Sequence, residues 1–320
     1  MESVFKKRIG FDGNLNELSE IVCREFKLGK FLKCDLILIG YEDFNFSLET
    51  TKAKFFVKIF SNVRTIADCK RNVNIMVRAL KTEVSVPKLY KSIQGYLHIQ
   101  KIGKVILRIC VMDFIEGKDF FTSRKNITKE DIISIAHQTS LINSINLKPP
   151  KIYDSWAITS FLQEFKKKNK CLDPEDLGLI KPLVEKFQNL KIEQLPHCFA
   201  HGDLIRTNII KDEDNALWIV DFSVANYYPR IQELAVLACD VLFNKDNIKE
   251  SEQNFKYALT EYQKTIKLTP REIECLPTYI KLAHAMHVLR ATYEKKVNNN
   301  DSLENEYFIN IGRLGLRQIN

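Results

Sequence analysis

A chain of 320 residues is long for one hydrophobic core and natural for two lobes. Hydrophobic residues at 45% and charged residues at 28% exclude bulk disorder and fit a soluble globular protein. The formal net charge is +8, but no basic run exceeds three residues, as in Lys166-Lys167-Lys168, and acidic residues interleave with the rest, so charge alone gives no ground for a nucleic-acid partner. The eight cysteines (Cys23, Cys34, Cys69, Cys110, Cys171, Cys198, Cys239, Cys275) are widely spaced, with no C-x-x-C pair, and read as reduced, mostly buried thiols. The opening residues lack an apolar stretch of signal-peptide length, and nothing approaches the ~20 apolar residues that span a bilayer. A cytoplasmic protein without a membrane partner is the expectation.

Leu15, Leu18, Ile21, Val22 and Phe26 recur at helical spacing and predict an amphipathic opening helix. The period then changes. Phe31 to Gly40, Phe44 to Thr50 and Lys54 to Phe60 are short runs rich in β-branched and aromatic residues, separated by polar turns. Such close spacing predicts an antiparallel meander. A helix follows over Thr65 to Leu80, then strands around Leu89 to Ile93 and Val105 to Asp113. After Gly117 the pattern turns helical. Thr128 with Asp131 and Thr269 with Glu272 are spaced as capping boxes, and Asp173-Pro174 and Thr269-Pro270 pair an N-cap with a first-turn proline. A long helix is predicted from Thr269 towards Lys296 and another from Leu303 to Ile319.

One stretch of the helical half breaks that pattern. Phe199 to Phe222 contains two short strand-like runs with polar residues between them: His201-Gly202-Asp203-Leu204-Ile205-Arg206-Thr207-Asn208, then Asp221-Phe222. Phosphoryl transfer has a loose transition state and asks for little covalent chemistry. It needs a carboxylate to orient or deprotonate the attacking hydroxyl, and oxygen ligands for the metal that bridges the phosphates. H-x-D-x-x-x-x-N provides the first in Asp203 and one metal ligand in Asn208. Asp221, after a hairpin turning at Lys211 to Asn215, adds a second hard oxygen ligand.

HGDLIRTNII followed by WIVDFS resembles the catalytic loop and metal-binding segment of the aminoglycoside phosphotransferase and choline kinase superfamily, in which H-G-D replaces the H-R-D of protein kinases. The resemblance extends over most of residues 28 to 245. It implies an α+β, bilobal protein-kinase-like fold: an N-terminal nucleotide-binding lobe over 1–113, with a small antiparallel sheet, and a mostly helical catalytic and substrate-binding lobe over 114–320. It implies that Lys58, in Phe55-Phe56-Val57-Lys58-Ile59, contacts the nucleotide phosphates. Gly40 to Phe46 sits where the family's nucleotide-covering turn belongs, which makes Asn45 a nucleotide-binding candidate. Met112-Asp113-Phe114-Ile115-Glu116-Gly117 matches the hinge segment, whose backbone at Met112 and Phe114 would meet the adenine edge. One departure stands out. The family's helix glutamate, partner of the strand lysine, has no counterpart between Asn62 and Leu80, where Arg71 or Asn72 falls near its place and Asp68 is the only acid on the helix. Either Asp68 substitutes, or the lysine is held differently, or the enzyme is impaired.

The acceptor is less legible. The loop resembles the HGDLFRDN pattern of type II homoserine kinases, with Thr207 in place of the second Asp, and Glu233 to Asp240 resembles their D-L-A-V stretch. Arg206 could grip a carboxylate or phosphate with its planar fork, or be a solvated loop arginine; Arg230 is a second candidate that could equally brace the next helix. His284 and His287, three apart on a helix, read as packing or surface residues, because no third ligand is evident. His98 and His137 have no partner in view. Trp156, Phe161 and Phe165 have helical spacing and read as core.

The expectation is therefore a kinase using ATP or GTP with Mg²⁺ to phosphorylate a hydroxyl of an amino alcohol, a hydroxy amino acid or a sugar. Its alternatives are an aminoglycoside kinase, which the +8 charge disfavours, and a degenerate nucleotide-binding module without turnover, which the missing glutamate motivates.

Overall fold

The computed structural model describes residues 2–37, 43–124 and 126–318, and of residues 2–5 the backbone alone. The chain divides into two compact units, Met1–Gly117 with Asp212–Asp214, and Lys118–Lys211 with Asn215–Asn320. The first opens with helices α1 (Glu2–Ile9) and α2 (Leu15–Glu25), then strands β1 (Phe31–Ile37), β2 (Phe44–Thr50) and β3 (Lys54–Ile59). Helix α3 (Ile66–Ala79) and strands β4 (Leu89–Tyr90), β5 (His98–Ile102) and β6 (Val105–Asp113) complete it. The strands form one antiparallel sheet in the order β1-β2-β3-β6-β4, with β5 also paired to β6.

Alternation along β2 and β3 divides this sheet into two faces. Phe44, Phe46, Val57 and Ile59 join Leu18, Val22 and Phe26 of the α2 region in one apolar cluster. Phe60, Cys110 and Met112 join Cys69 and Val73 of α3 in another, with Phe56 packed against it. Lys58 falls between Phe56 and Phe60 on the second face. α3 begins with a full capping box, in which Thr65 accepts from the Asp68 backbone and Asp68 accepts from that of Thr65.

β7 (Gly117–Asp119) starts on the last residue of the first stretch, and the second unit goes on with α4 (Phe120–Ser123), α5 (Lys129–Asn143), α6 (Phe161–Lys168), α7 (Pro174–Ile180) and α8 (Leu183–Asn189). Strands β8 (His197–Ala200), β9 (Ile209–Asp212), β10 (Leu217–Ile219) and β11 (Asn226–Pro229) follow, then α9 (Ile231–Cys239), α10 (Ile248–Thr265), α11 (Pro270–Asn298) and α12 (Leu303–Gln318). β10-β9-β7 and β11-β8 are two small sheets. The core forms around α11, where Tyr279, Leu282, Met286 and Leu289 pack with Ile231 and Leu234 of α9, Phe161 of α6 and Phe187 of α8.

The capping boxes at Thr128 and Thr269 are present, as is the Asp173 N-cap. β4 falls at the start of the strand expected around Leu89 to Ile93 and is shorter than that, whereas the short strands β7 and β11 and the hairpin strand β5 carry too little apolar pattern to be read from sequence. β5 alternates His98, Gln100 and Ile102 with Ile99 and Lys101, so neither face is consistently apolar. His98 does have partners: its ring nitrogens meet Ser92 Oγ and Gln100 Oε1, both at 3.1 Å. Trp156 lies before α6 and packs on Phe308 of α12, apart from the Phe161–Phe165 pair. All eight cysteines are free, and Cys23, Cys69, Cys110, Cys239 and Cys275 are buried. No helix among the described residues is long and apolar enough to cross a membrane.

Candidate active site

The polar segment after β8 is built from its backbone outwards. His201 is fully buried, and its Nε2–H donates to the Val220 carbonyl at 3.0 Å. Its Nδ1 then accepts the Asp203 N–H at 3.3 Å, so one neutral tautomer satisfies both bonds. Burial holds this imidazole down to about 4. Gly202 follows with φ +85°, in the left-handed region that favours glycine, and a Cβ there would lie 3.2 Å from the Val224 carbonyl. That turn brings Asp203 out of the strand direction.

Asn208 closes the loop. Its Nδ2 donates to the Asp203 carbonyl and to Asp203 Oδ2, both at 2.8 Å. The Asn208 carbonyl in turn accepts from Val220 N–H at 3.0 Å, which ties the loop to the strand leading into Asp221. Asp221 has φ +63°, an uncommon conformation for a residue with a Cβ, and its Oδ1 accepts the Ser223 N–H at 3.2 Å. Phe222 anchors it from behind, 4.4 Å from the His201 ring and stacked on Phe199. The Asp203 carboxyl is pushed well above its ordinary value, first by burial and then by the neighbouring charges of Asp154, Asp221 and Glu304.

The carboxylates of Asp154, Asp221 and Glu304 act together on Asp203. Mg²⁺ is held by one or two protein carboxylates and completes its shell with phosphate oxygens and water. Asn208 and Asp221 offer such hard oxygens beside the negative charge felt by Asp203. Among the described residues no group of three or more His, Cys, Asp or Glu side chains forms a metal cage, and the buried His284 and His287 make ring contacts with Phe243 and Phe308 instead.

In the first unit, Lys58 stands opposite Asn45 in the β2–β3 register, and Phe56 opposite Met112. Met112 is buried, paired on both sides by β3 and β4. The Phe114 ring follows the end of β6, with Lys54 Nζ 3.9 Å above its centre. Residues 40–42 of the expected nucleotide-covering turn lie outside the described residues.

A model of the phosphotransferase enzyme family matches residues 34–266, nearly three quarters of the length. The chain belongs to that family. A curated relative, homoserine kinase of Nitrobacter hamburgensis, is 21% identical over 214 residues, 66% of this chain; the match spans 63% of that relative's length. Among solved structures, amicoumacin kinase hAmiN, in complex with AMP-PNP, Ca²⁺ and Ami, aligns with a TM-score of 0.70 at 14% identity, covering 99% of this chain and 96% of that one. An ethanolamine kinase of Plasmodium vivax aligns with a TM-score of 0.64 at 14% identity, covering 99% and 93%. The fold is the protein-kinase-like fold of these phosphotransferases, an antiparallel sheet in the N-terminal part and a helical C-terminal part.

In this family member several residues that sequence reasoning passed over hold the loop. Glu233 of α9 is fully buried and accepts the N–H groups of His201 at 2.5 Å and Gly202 at 3.2 Å. Burial raises it to about 7, against the pull of those two bonds. Asn143 of α5 donates to the Phe199 carbonyl at 3.0 Å and accepts from the Tyr262 hydroxyl at 2.8 Å. Glu233 opens the stretch that resembles D-L-A-V, but nothing local marks its bonds to the loop or those of Asn143, because each reaches the loop from a distant helix.

The two candidate acceptor arginines, each also open to a structural reading, meet groups of the protein itself. Arg206 donates through Nε to the Asp240 carbonyl and through Nη2 to those of Val241 and Phe243, while its backbone N–H meets Asp240 Oδ1 at 2.7 Å. Arg230 forms a bidentate pair with the fully buried Glu272, at 2.6 and 2.7 Å, and also donates to the Lys267 carbonyl. Of the alternatives left open for Lys58, Asp68 is not its partner, since it caps α3; the lysine is held differently, with its Nζ 3.1 Å from Asp43 Oδ2.

Proposed function

We propose that this chain transfers the γ-phosphoryl group of ATP or GTP to the hydroxyl of a small molecule. The observation that carries this reading is the Asp203–Asn208 pair, locked by two bonds from one amide, beside Asp221 on its left-handed turn. Asp203 is the residue that orients the acceptor hydroxyl and takes its proton. Asn208 occupies Oδ2, so Oδ1 is the oxygen offered to the acceptor. Burial and the nearby carboxylates raise the basicity of Asp203, which suits a proton acceptor. Asn208 and Asp221 would hold Mg²⁺, which when bound neutralises phosphate charge. Residues 1–113 act as the nucleotide-binding lobe and 114–320 as the catalytic and acceptor-binding lobe. Lys58 steadies the phosphates, with Asn45 beside it on the sheet, and the backbone at Met112 and Phe114 meets the base.

An amino alcohol or a hydroxy amino acid fits best as acceptor. Asp154 and Glu304 add negative charge around Asp203, which favours a substrate that brings a cationic amine close to its hydroxyl. Homoserine and ethanolamine, the substrates that two of the compared kinases are named for, both carry that pair of groups. Arg206 and Arg230 brace the scaffold in this reading and do not grip the acceptor. A module without turnover loses its main ground, because Asp43 supplies the counter-charge that the helix lacks.

The test is ADP release with Mg²⁺ and ATP over homoserine, hydroxylysine, choline, ethanolamine, sugars and aminoglycosides. Strong turnover of one amine-bearing acceptor, abolished by Asp203→Asn, is expected. ATP binding with no turnover on any acceptor would overturn the assignment to an active kinase.

A further inference from the structure

We propose that Asp43 is the positioning residue for Lys58, doing from the sheet what a helix acid does in other kinase-like folds. This rests on the reading of Lys58 as the phosphate-contacting lysine.

The starting point is burial. Lys58 is 8% exposed and Asp43 6%, so neither charge is left to bulk water. An ammonium in that setting needs a fixed counter-charge, or it loses its proton or its place. Asp43 Oδ2 lies 3.1 Å from Lys58 Nζ. The strand register explains the meeting. Asn45 stands opposite Lys58, and Asp43, two residues earlier, projects on the same face as its diagonal neighbour.

Asp43 is itself held from other directions. Its Oδ1 accepts the Ser61 N–H at 2.9 Å and Arg64 Nε at 3.2 Å, and its carbonyl accepts from Arg8 Nη1 at 3.3 Å. The Arg8 carbonyl takes the Asn62 N–H at 2.9 Å and the Ser61 hydroxyl at 3.2 Å, closing a small network that joins α1 to the end of β3. A carboxylate with one oxygen fixed by a backbone donor and an arginine is a rigid platform for a lysine on the other.

The alternative acid is committed. Asp68 Oδ2 accepts the Thr65 N–H at 3.1 Å and the Thr65 hydroxyl at 2.6 Å as the return half of the α3 capping box. The lysine is therefore set by its own sheet. Its orientation does not require α3 to supply an acid, which explains how the helix can carry Arg71 and Asn72 near the place where the family has glutamate.

A buried ion pair could serve folding alone, so the test must separate the two roles. Asp43→Asn, Asp43→Glu, Lys58→Met and the double variant Asp43→Asn/Lys58→Met are compared by ATP affinity and by KM and kcat for ATP, with thermal unfolding of each. Asp43→Asn is expected to weaken ATP affinity by about 10-fold or more, and Asp43→Glu to recover part of it. The double variant is expected to match Lys58→Met alone, because the two residues act as one unit. Independent, multiplying losses, or a lowered unfolding temperature with unchanged ATP affinity, would overturn the role of Asp43 and leave the lysine assignment standing. A Lys58→Met protein that binds ATP as well as the wild type would overturn both.

Discussion

A single amide, Asn208 Nδ2, donates to both the backbone carbonyl and the carboxylate of Asp203 at 2.8 Å. The loop between them cannot open without breaking both bonds. Asp203→Asn should lower kcat by roughly 10²- to 10⁴-fold, the usual range for a positioned general base, with little change in ATP affinity. Asn208→Ala should also lower kcat and, on the proposed reading of Asn208 as a metal ligand, raise the Mg²⁺ concentration needed for half-maximal rate, since it also removes the clamp. Magnesium titrations of the two variants check this. An Asn208→Ala enzyme with wild-type magnesium dependence would count against its ligand role.

Gly202 is the other fixed point of the loop. Its φ of +85° and the 3.2 Å approach to the Val224 carbonyl leave no unstrained place for a methyl group. Gly202→Ala should destabilise the protein by about 1–3 kcal/mol and lower turnover, because relief of the strain moves Asp203. Urea unfolding and initial rates measure the two effects. A variant with full stability would show that the backbone can relax around the new Cβ.

The legible parts of the molecule were those that local physics specifies. Capping boxes at Thr128 and Thr269 and the proline after Asp173 mark helix starts because they act on the N–H groups of a first turn within four residues. The β1–β3 meander shows because its short runs are rich in β-branched and aromatic residues and are separated by polar turns. The loop from His201 to Asn208 is equally local, as its bonds run within a few residues. The contacts of Glu233, Asn143 and Asp43 are hard to read for the opposite reason. Glu233 and Asn143 act across 31 or more residues of chain, where spacing carries no information. Asp43 had a signal that went unused: counting back by two from Asn45 puts it on the Lys58 face. For Arg206 and Arg230 the sequence leaves ligand and structural readings open, because it displays their charge and not the carbonyls and the carboxylate that they meet.

Buried titratable groups predict how stability follows pH. Burial depresses His201 to about 4, His287 to about 4 and His284 to about 3, from 6.5. As pH falls below 6.5 the unfolded chain takes up protons that the folded chain refuses, so stability drops towards pH 4. Glu233 has the opposite sign. Its folded value of about 7 exceeds the ordinary 4.5, so its contribution is full below 4.5 and is lost as pH rises to 7. The two slopes partly cancel. Glu233→Gln should therefore make stability rise more steeply with pH between 4.5 and 6.5, which urea midpoints across that range would reveal. Parallel curves for variant and wild type would mean that Glu233 titrates normally.

Arg230 offers a direct test of brace against ligand. Glu272 is fully buried at the start of α11, where it also completes the capping box with Thr269, accepting that residue's N–H at 2.8 Å. Removing Arg230 leaves this carboxylate without its counter-charge, a loss that costs about 3–5 kcal/mol when a buried pair is broken from one side. Arg230→Met should thus lower stability by that order while leaving KM for the acceptor unchanged in the surviving folded fraction. Pairing it with Glu272→Gln should recover part of the loss, because the uncompensated charge disappears. A stable Arg230→Met protein with a raised acceptor KM would reverse the assignment and return Arg230 to the substrate.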